Sequence, residues 1–93
     1  MINTGPFTGC VCKRLHNPHP LCDGKLGFEE NGIKVRLIPR SGEQAVALVV
    51  DGCMFKGGQK RCDGLFILSK GNRKWIILVE LKGSNLSDAF NQL

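Results

Sequence analysis

Apolar and basic positions alternate between Ile33 and Leu37: Ile33, Val35 and Leu37 fall on one side, Lys34 and Arg36 on the other. A period of two is the signature of a half-buried β-strand. After a turn at Pro39–Glu43 the chain runs apolar from Ala45 to Val50 and stops at Asp51-Gly52. Its three valines and short length predict a buried strand rather than a helix. A further break at residues 57–60 precedes the apolar stretch Leu65–Ser69. Lys70-Gly71-Asn72-Arg73 then reads as a hairpin turn, with glycine and asparagine available for positive φ. Trp75–Leu81 is apolar on both faces, which predicts a strand in the middle of a sheet. These segments make a three-stranded antiparallel meander over roughly 45–55, 62–69 and 74–82.

Beyond it the period changes. Leu86, Ala89, Phe90 and Leu93 share one helical stripe, and Ser84 or Asn85 can serve as the N-cap. Residues 1–32 show neither period. They are rich in Gly, Pro, Asn, Cys and His, and need something other than an apolar core to hold a shape. The chain therefore divides into an N-terminal segment, 1–32, and a core, 33–93.

Ninety-three residues allow one small domain. Aromatic residues are few, Trp75 and five Phe with no Tyr, so Val, Ile and Leu must build the core. No stretch has the ~20 apolar residues that span a bilayer, and no signal peptide is legible, which predicts a cytoplasmic protein and no membrane partner. Five cysteines, an odd number without an export signal, argue for reduced thiols or a metal site over a disulfide framework. The net charge of +5 suits a polyanion.

The meander carries candidate chemistry. Asp63 opens one strand and Glu80-Leu81-Lys82 closes its neighbour, so an antiparallel hairpin brings them to one sheet end. Glu80 and Lys82, two apart, share a face. Two carboxylates and the Leu81 carbonyl are hard oxygen ligands for Mg²⁺. A lysine beside such an ion can orient or deprotonate an attacking water. The bland alternative is a surface ion pair between Glu80 and Lys82 beside a solvated Asp63.

Arg61-Cys62-Asp63-Gly64-Leu65-Phe66-Ile67-Leu68, followed by Ile77-Leu78-Val79-Glu80-Leu81-Lys82-Gly83, resembles the second and third strands of the PD-(D/E)XK nuclease superfamily. Ser87–Leu93 resembles the helix that follows them, with Gln92 at the position of a glutamine that several branches keep near the active centre. The resemblance covers 61–92. It implies an α/β (α+β) restriction-endonuclease-like core and a Mg²⁺- or Mn²⁺-dependent endonuclease, with catalytic Asp63, Glu80, Lys82 and Gln92 and metal on Asp63, Glu80 and Leu81. Cys62 stands where the motif's proline would be. The superfamily's upstream carboxylate has Glu43 as its best-placed candidate, ahead of Glu30 and Asp51. The fold needs at least one more strand after the helix, so the chain is expected to be a truncated piece or to have its sheet completed by another chain, as in a homodimer.

Cys10, Cys12, His16, His19 and Cys22 offer five zinc-type ligands within thirteen residues. The same stretch resembles the CDGSH iron–sulfur motif through Cys10-x-Cys12 and Pro20-x-Cys22-Asp23-Gly24, with Leu26 in place of the ligand histidine. Lys56, Lys60, Arg61, Lys70, Arg73 and Lys74 cluster at the turns of the meander and are candidates for a nucleic-acid backbone, DNA preferred over RNA. From a different class, the chain reads as a non-catalytic module that binds nucleic acid or protein and is held by an N-terminal zinc site.

Overall fold

The computed structural model describes residues 2–57 and 62–81. The described chain is mainly antiparallel strand in two sheets, with a single 3₁₀ segment at Gly5–Cys10. A hairpin of β1 (Gly27–Glu30) and β2 (Ile33–Arg36) forms the smaller sheet. The larger is the meander β3 (Gln44–Val49), β4 (Gly64–Lys70) and β5 (Arg73–Val79), in the order β3-β4-β5.

The alternation at 33–37 holds: Lys34 and Arg36 are exposed while Ile33 and Val35 turn inward. Their charges pair across the sheet surface, Lys34 with Glu29 at 3.3 Å and Arg36 with Asp23 at 3.6 Å. Asn31 and Gly32, both at positive φ (54° and 79°), close the β1–β2 hairpin. Two successive positive-φ residues are the geometry of a type I′ turn, whose twist matches that of the flanking strands. The hairpin thus runs across the expected 32/33 boundary. At the β4–β5 turn only Gly71 takes positive φ (58°).

The register sets what lies at each end of the meander. Val49, Gly64 and Val79 are aligned at one end, and Gln44, Ser69 and Lys74 at the other. At about 3.4 Å per residue the two ends stand roughly 17 Å apart.

Two aromatic rings centre the core. Phe28 of β1 and Phe66 of β4 are fully buried, with centroids 5.0 Å apart and planes tilted by 42°. Ala47, Val49, Val79, Leu81 and Cys12 complete the cluster, so the small hairpin packs on one face of the meander. Gly64 is fixed by this contact: a Cβ there would meet the Phe28 ring at 2.6 Å. A methyl at that point over-packs the core.

Two expectations are corrected. The sequence placed Trp75–Leu81 mid-sheet, whereas β5 is an edge strand among the described residues, with Ile76 and Leu78 at 62% and 67% exposure. An apolar run reports burial on two faces and says nothing about which neighbour supplies it. The cysteines are not free thiols: Cys10 is joined to Cys53 and Cys12 to Cys22, leaving Cys62 unpaired. Cys53 lies 43 residues from Cys10, and the β3–β4 connection carries it there.

These bridges explain how a segment without periodicity keeps a shape. Residues 10–12 run beside β3, where Val11 forms an antiparallel bridge to Leu48 and the Cys12 N–H donates to the Ala47 carbonyl at 2.8 Å. Chain-entropy reasoning gives about 3 kcal/mol for the ten-residue loop and about 4 kcal/mol for the longer one. Thiol titration of the non-reduced protein in denaturant is expected to find one reactive group per chain, Cys62. Five would contradict the pairing. Adding a dithiol is expected to lower the melting temperature.

Candidate active site

The candidate site lies at the Val49–Gly64–Val79 end of the meander. Asp51 follows the end of β3, Asp63 precedes β4 and Glu80 follows β5. Asp63 ties the three strands together through its backbone. Its N–H donates to the Val79 carbonyl at 2.9 Å, and its own carbonyl accepts from the N–H groups of Val50 (3.0 Å) and Asp51 (3.3 Å).

Its side chain is fixed as well. The Leu81 N–H donates to Asp63 Oδ2 at 2.6 Å in a partly buried setting. A charged acceptor makes this bond stronger than a neutral one and sets the carboxylate's orientation. Oδ1 makes no hydrogen bond or ion pair among the described residues. The sequence expectation that Asp63 meets the end of the neighbouring strand at Glu80-Leu81 is met in the backbone. The same bond also has a purely structural use, closing the strand ends.

Cys62 reports what surrounds it. Burial, as the largest cause, pushes its thiol above the ordinary range, and the negative charges of Glu80, Asp63 and Asp51 push it further. Glu80, Asp63 and Asp51 therefore all lie within electrostatic reach of one group, the Cys62 thiol. Removing one of those charges, as in Glu80→Gln, is expected to bring the Cys62 pKa down and quicken its alkylation by iodoacetamide near pH 8, because the thiolate is the reacting form. An unchanged rate would show that Glu80 points away from Cys62.

A cleft of about 330 Å³ opens beside this point, and Asp63, Asp51, Glu29, Glu30 and His19 are among its lining residues. Glu43, first in the sequence ranking for the third carboxylate, lies outside it. It sits next to Gln44 at the opposite end of the meander, where its carboxylate accepts the Arg40 N–H at 2.5 Å. Asp51 and Glu30, ranked behind it, both line the cleft with Asp63, and the register of β3 against β4 brings the Asp51 backbone to Asp63.

The remaining candidates divide. Lys82 and Gln92, with the stripe at 86–93, lie outside the described residues, as do Lys60 and Arg61. Lys70, Arg73 and Lys74 gather at the β4–β5 turn, the far end of the sheet from Asp63. Lys56 is exposed on the β3–β4 connection, near Asp51. The described basic candidates thus stand at both ends of the meander, Lys56 at one and Lys70, Arg73 and Lys74 at the other.

Among the zinc candidates, Cys10, Cys12 and Cys22 are held in disulfides. His19 turns towards Cys53, Nε2 to Sγ 3.3 Å. Among the described residues no three His, Cys, Asp or Glu side chains stand together as a ready metal site. No helix among them is long and apolar enough to cross a membrane.

No family model, curated protein or solved structure matches this chain.

Proposed function

We propose that the chain is the catalytic part of a Mg²⁺-dependent nuclease with a restriction-endonuclease-like core. The observation that carries this reading is the Asp63 carboxylate, anchored by the Leu81 N–H beside Glu80. That is the pairing of strand ends on which the motif resemblance depends.

By donor type the set suits a hard divalent ion, and binding would have to draw the carboxylates together, since no three of them among the described residues stand as a ready site. Asp63, Glu80 and the Leu81 carbonyl offer oxygen ligands, and Asp51 adds a carboxylate that the cleft brings to the same side. When bound, such an ion polarises a phosphodiester oxygen and lowers the pKa of a coordinated water. The chain's own residues do the rest. The Leu81 N–H holds the Asp63 carboxylate in one orientation, so this one ligand would meet the ion already oriented. Lys82, two residues after Glu80 in the sequence, is assigned to orienting or deprotonating the attacking water. Gln92 is assigned to positioning.

The basic groups give a nucleic-acid backbone two holds, Lys56 near the carboxylates and Lys70, Arg73 and Lys74 about 17 Å away. DNA as the partner follows from the motif resemblance and the net charge of +5. The cytoplasmic expectation remains part of the proposal, although paired cysteines fit an oxidising compartment.

Mn²⁺ binding tests the metal assignment. Titration followed by the electron paramagnetic resonance signal of free Mn²⁺ is expected to show saturable binding that Asp63→Asn weakens at least about tenfold. Glu43→Gln is expected to leave it unchanged. Equal affinity in wild type and Asp63→Asn would remove Asp63 from the site.

The His19–Cys53 contact favours a second reading, a non-catalytic binding module held by zinc. In the reduced chain Cys10, Cys53 and His19 would supply three ligands of zinc type. Stoichiometric zinc with five titratable thiols in the isolated protein would select it.

A further inference from the structure

The uncovered edge of the meander has a self-complementary pattern. β3 is flanked on its outer side by residues 10–12, through the Val11–Leu48 bridge and the Cys12 N–H to Ala47 carbonyl bond. No described strand pairs with the outer side of β5. Long, apolar, uncovered edge strands are the ones that recruit another strand, and proteins that stay monomeric blunt them with charges, proline or bulges. Between Trp75 and Val79, β5 has none of those charges or prolines. Ile76 and Leu78 are about two-thirds exposed, Trp75 and Ile77 about two-fifths, and only Val79 is buried in the core.

Charge decides the occupant. Exposed Lys74 stands at one end of this apolar run and exposed Glu80 at the other. They share a face with Ile76 and Leu78, while Trp75, Ile77 and Val79 form the face that leans on the core. Two copies of one strand related by a two-fold axis pair antiparallel, with like faces on the same side. A residue can then stand opposite only a residue of its own face. One such register centres Ile77 on its own copy and sets Ile76 against Leu78, Trp75 against Val79 and Lys74 against Glu80. Between residues 74 and 80 every apolar residue meets an apolar one and each lysine meets a carboxylate, while Arg73 falls opposite Leu81 beyond the apolar run. Shifting by one step in either direction sets Lys74 or Glu80 opposite an apolar residue.

We infer that β5 pairs with β5 of a second copy in this register, forming a closed isologous dimer with a continuous six-stranded sheet. Such an interface buries the same patch on both subunits and leaves no further edge of this kind for growth. The inference rests on register, exposure and charge, and stands whether or not the chain hydrolyses phosphodiesters.

Sedimentation equilibrium of the full chain across the micromolar range tests it. The wild type is expected to approach twice its 10.2 kDa mass. Leu78→Lys and Lys74→Glu, both at exposed positions, are expected to weaken association about tenfold or more, since like charges then face each other or a charge is set into the apolar contact. The double variant Lys74→Glu/Glu80→Lys exchanges the two charges and is expected to restore the dimer. Far-ultraviolet circular dichroism verifies that each variant is folded. A wild type that stays monomeric, as it would if residues 82–93 of its own chain covered β5, overturns the inference. So does a dimer that Lys74→Glu and Leu78→Lys leave intact, growth beyond two copies, or failure of the charge exchange to rescue.

Discussion

Phe28→Ala is expected to unfold most of the protein at room temperature. Phe28 has no exposed surface, it contacts the Phe66 ring, and it fills the space left by the missing side chain of Gly64. Truncating a buried phenylalanine costs about 3–5 kcal/mol, because the lost transfer free energy is joined by the cavity that remains. Total stabilities of small domains begin at about 5 kcal/mol. The ring also joins the β1–β2 hairpin to the meander, alongside Ile33 and Val35, so its loss weakens the contact between the two layers. Urea titration checks this, with a midpoint expected to fall to near zero denaturant. Phe28→Leu, which keeps much of the volume, is expected to retain a cooperative transition. A Phe28→Ala variant as stable as wild type would mean that the hairpin is not part of the core.

Asp63→Asn is expected to abolish divalent-metal-dependent cleavage while leaving the fold in place. Asparagine keeps an oxygen that can accept the Leu81 N–H, so the stability cost is about 1 kcal/mol, the difference between a charged and a neutral acceptor. The loss of a metal-binding charge acts on the reacting centre itself and is expected to lower the rate about a hundredfold or more. A matched loss in Asp51→Asn would assign the third carboxylate to Asp51. Glu43→Gln, at the other end of the sheet, is expected to cleave like wild type.

The meander was legible in the sequence because each of its strands carries its own evidence. Three valines before Asp51-Gly52, a Gly-Asn turn between two apolar runs, and an acid closing the last run locate β3, β4 and β5 without any partner being known. The β1 strand was not legible in that way. Asn31-Gly32 is a strong hairpin signal, but Gly27–Glu30 offers only one large apolar residue, Phe28, and so no alternation. Its single side chain turns out to carry the interlayer contact.

The candidate site was readable in part for the same reason. Asp63 and Glu80 follow from the hairpin, since antiparallel register converts sequence position into a shared sheet end. Asp51 and Glu43 are both acids at the margins of β3, and ranking Glu43 first could not take into account which end of β3 meets Asp63. Which end of β3 lies beside Asp63 depends on the pairing Val49–Gly64, and that pairing places Asp51 at the site and Glu43 away from it. The disulfides were hidden by distance along the chain. Cys53 lies in a loop that reads as a simple turn, and only the packing of residues 10–12 beside β3 brings Cys10 to it.

The most direct test of the account is cleavage of a labelled panel of single- and double-stranded DNA and RNA with Mg²⁺, Mn²⁺ or chelator, using wild type beside Lys82→Ala. The account predicts metal-dependent cleavage by wild type, stronger on DNA, and loss of it in Lys82→Ala with metal binding retained. Wild-type protein that binds the ion and cleaves nothing, or a Lys82→Ala variant that cleaves as fast as wild type, would contradict it.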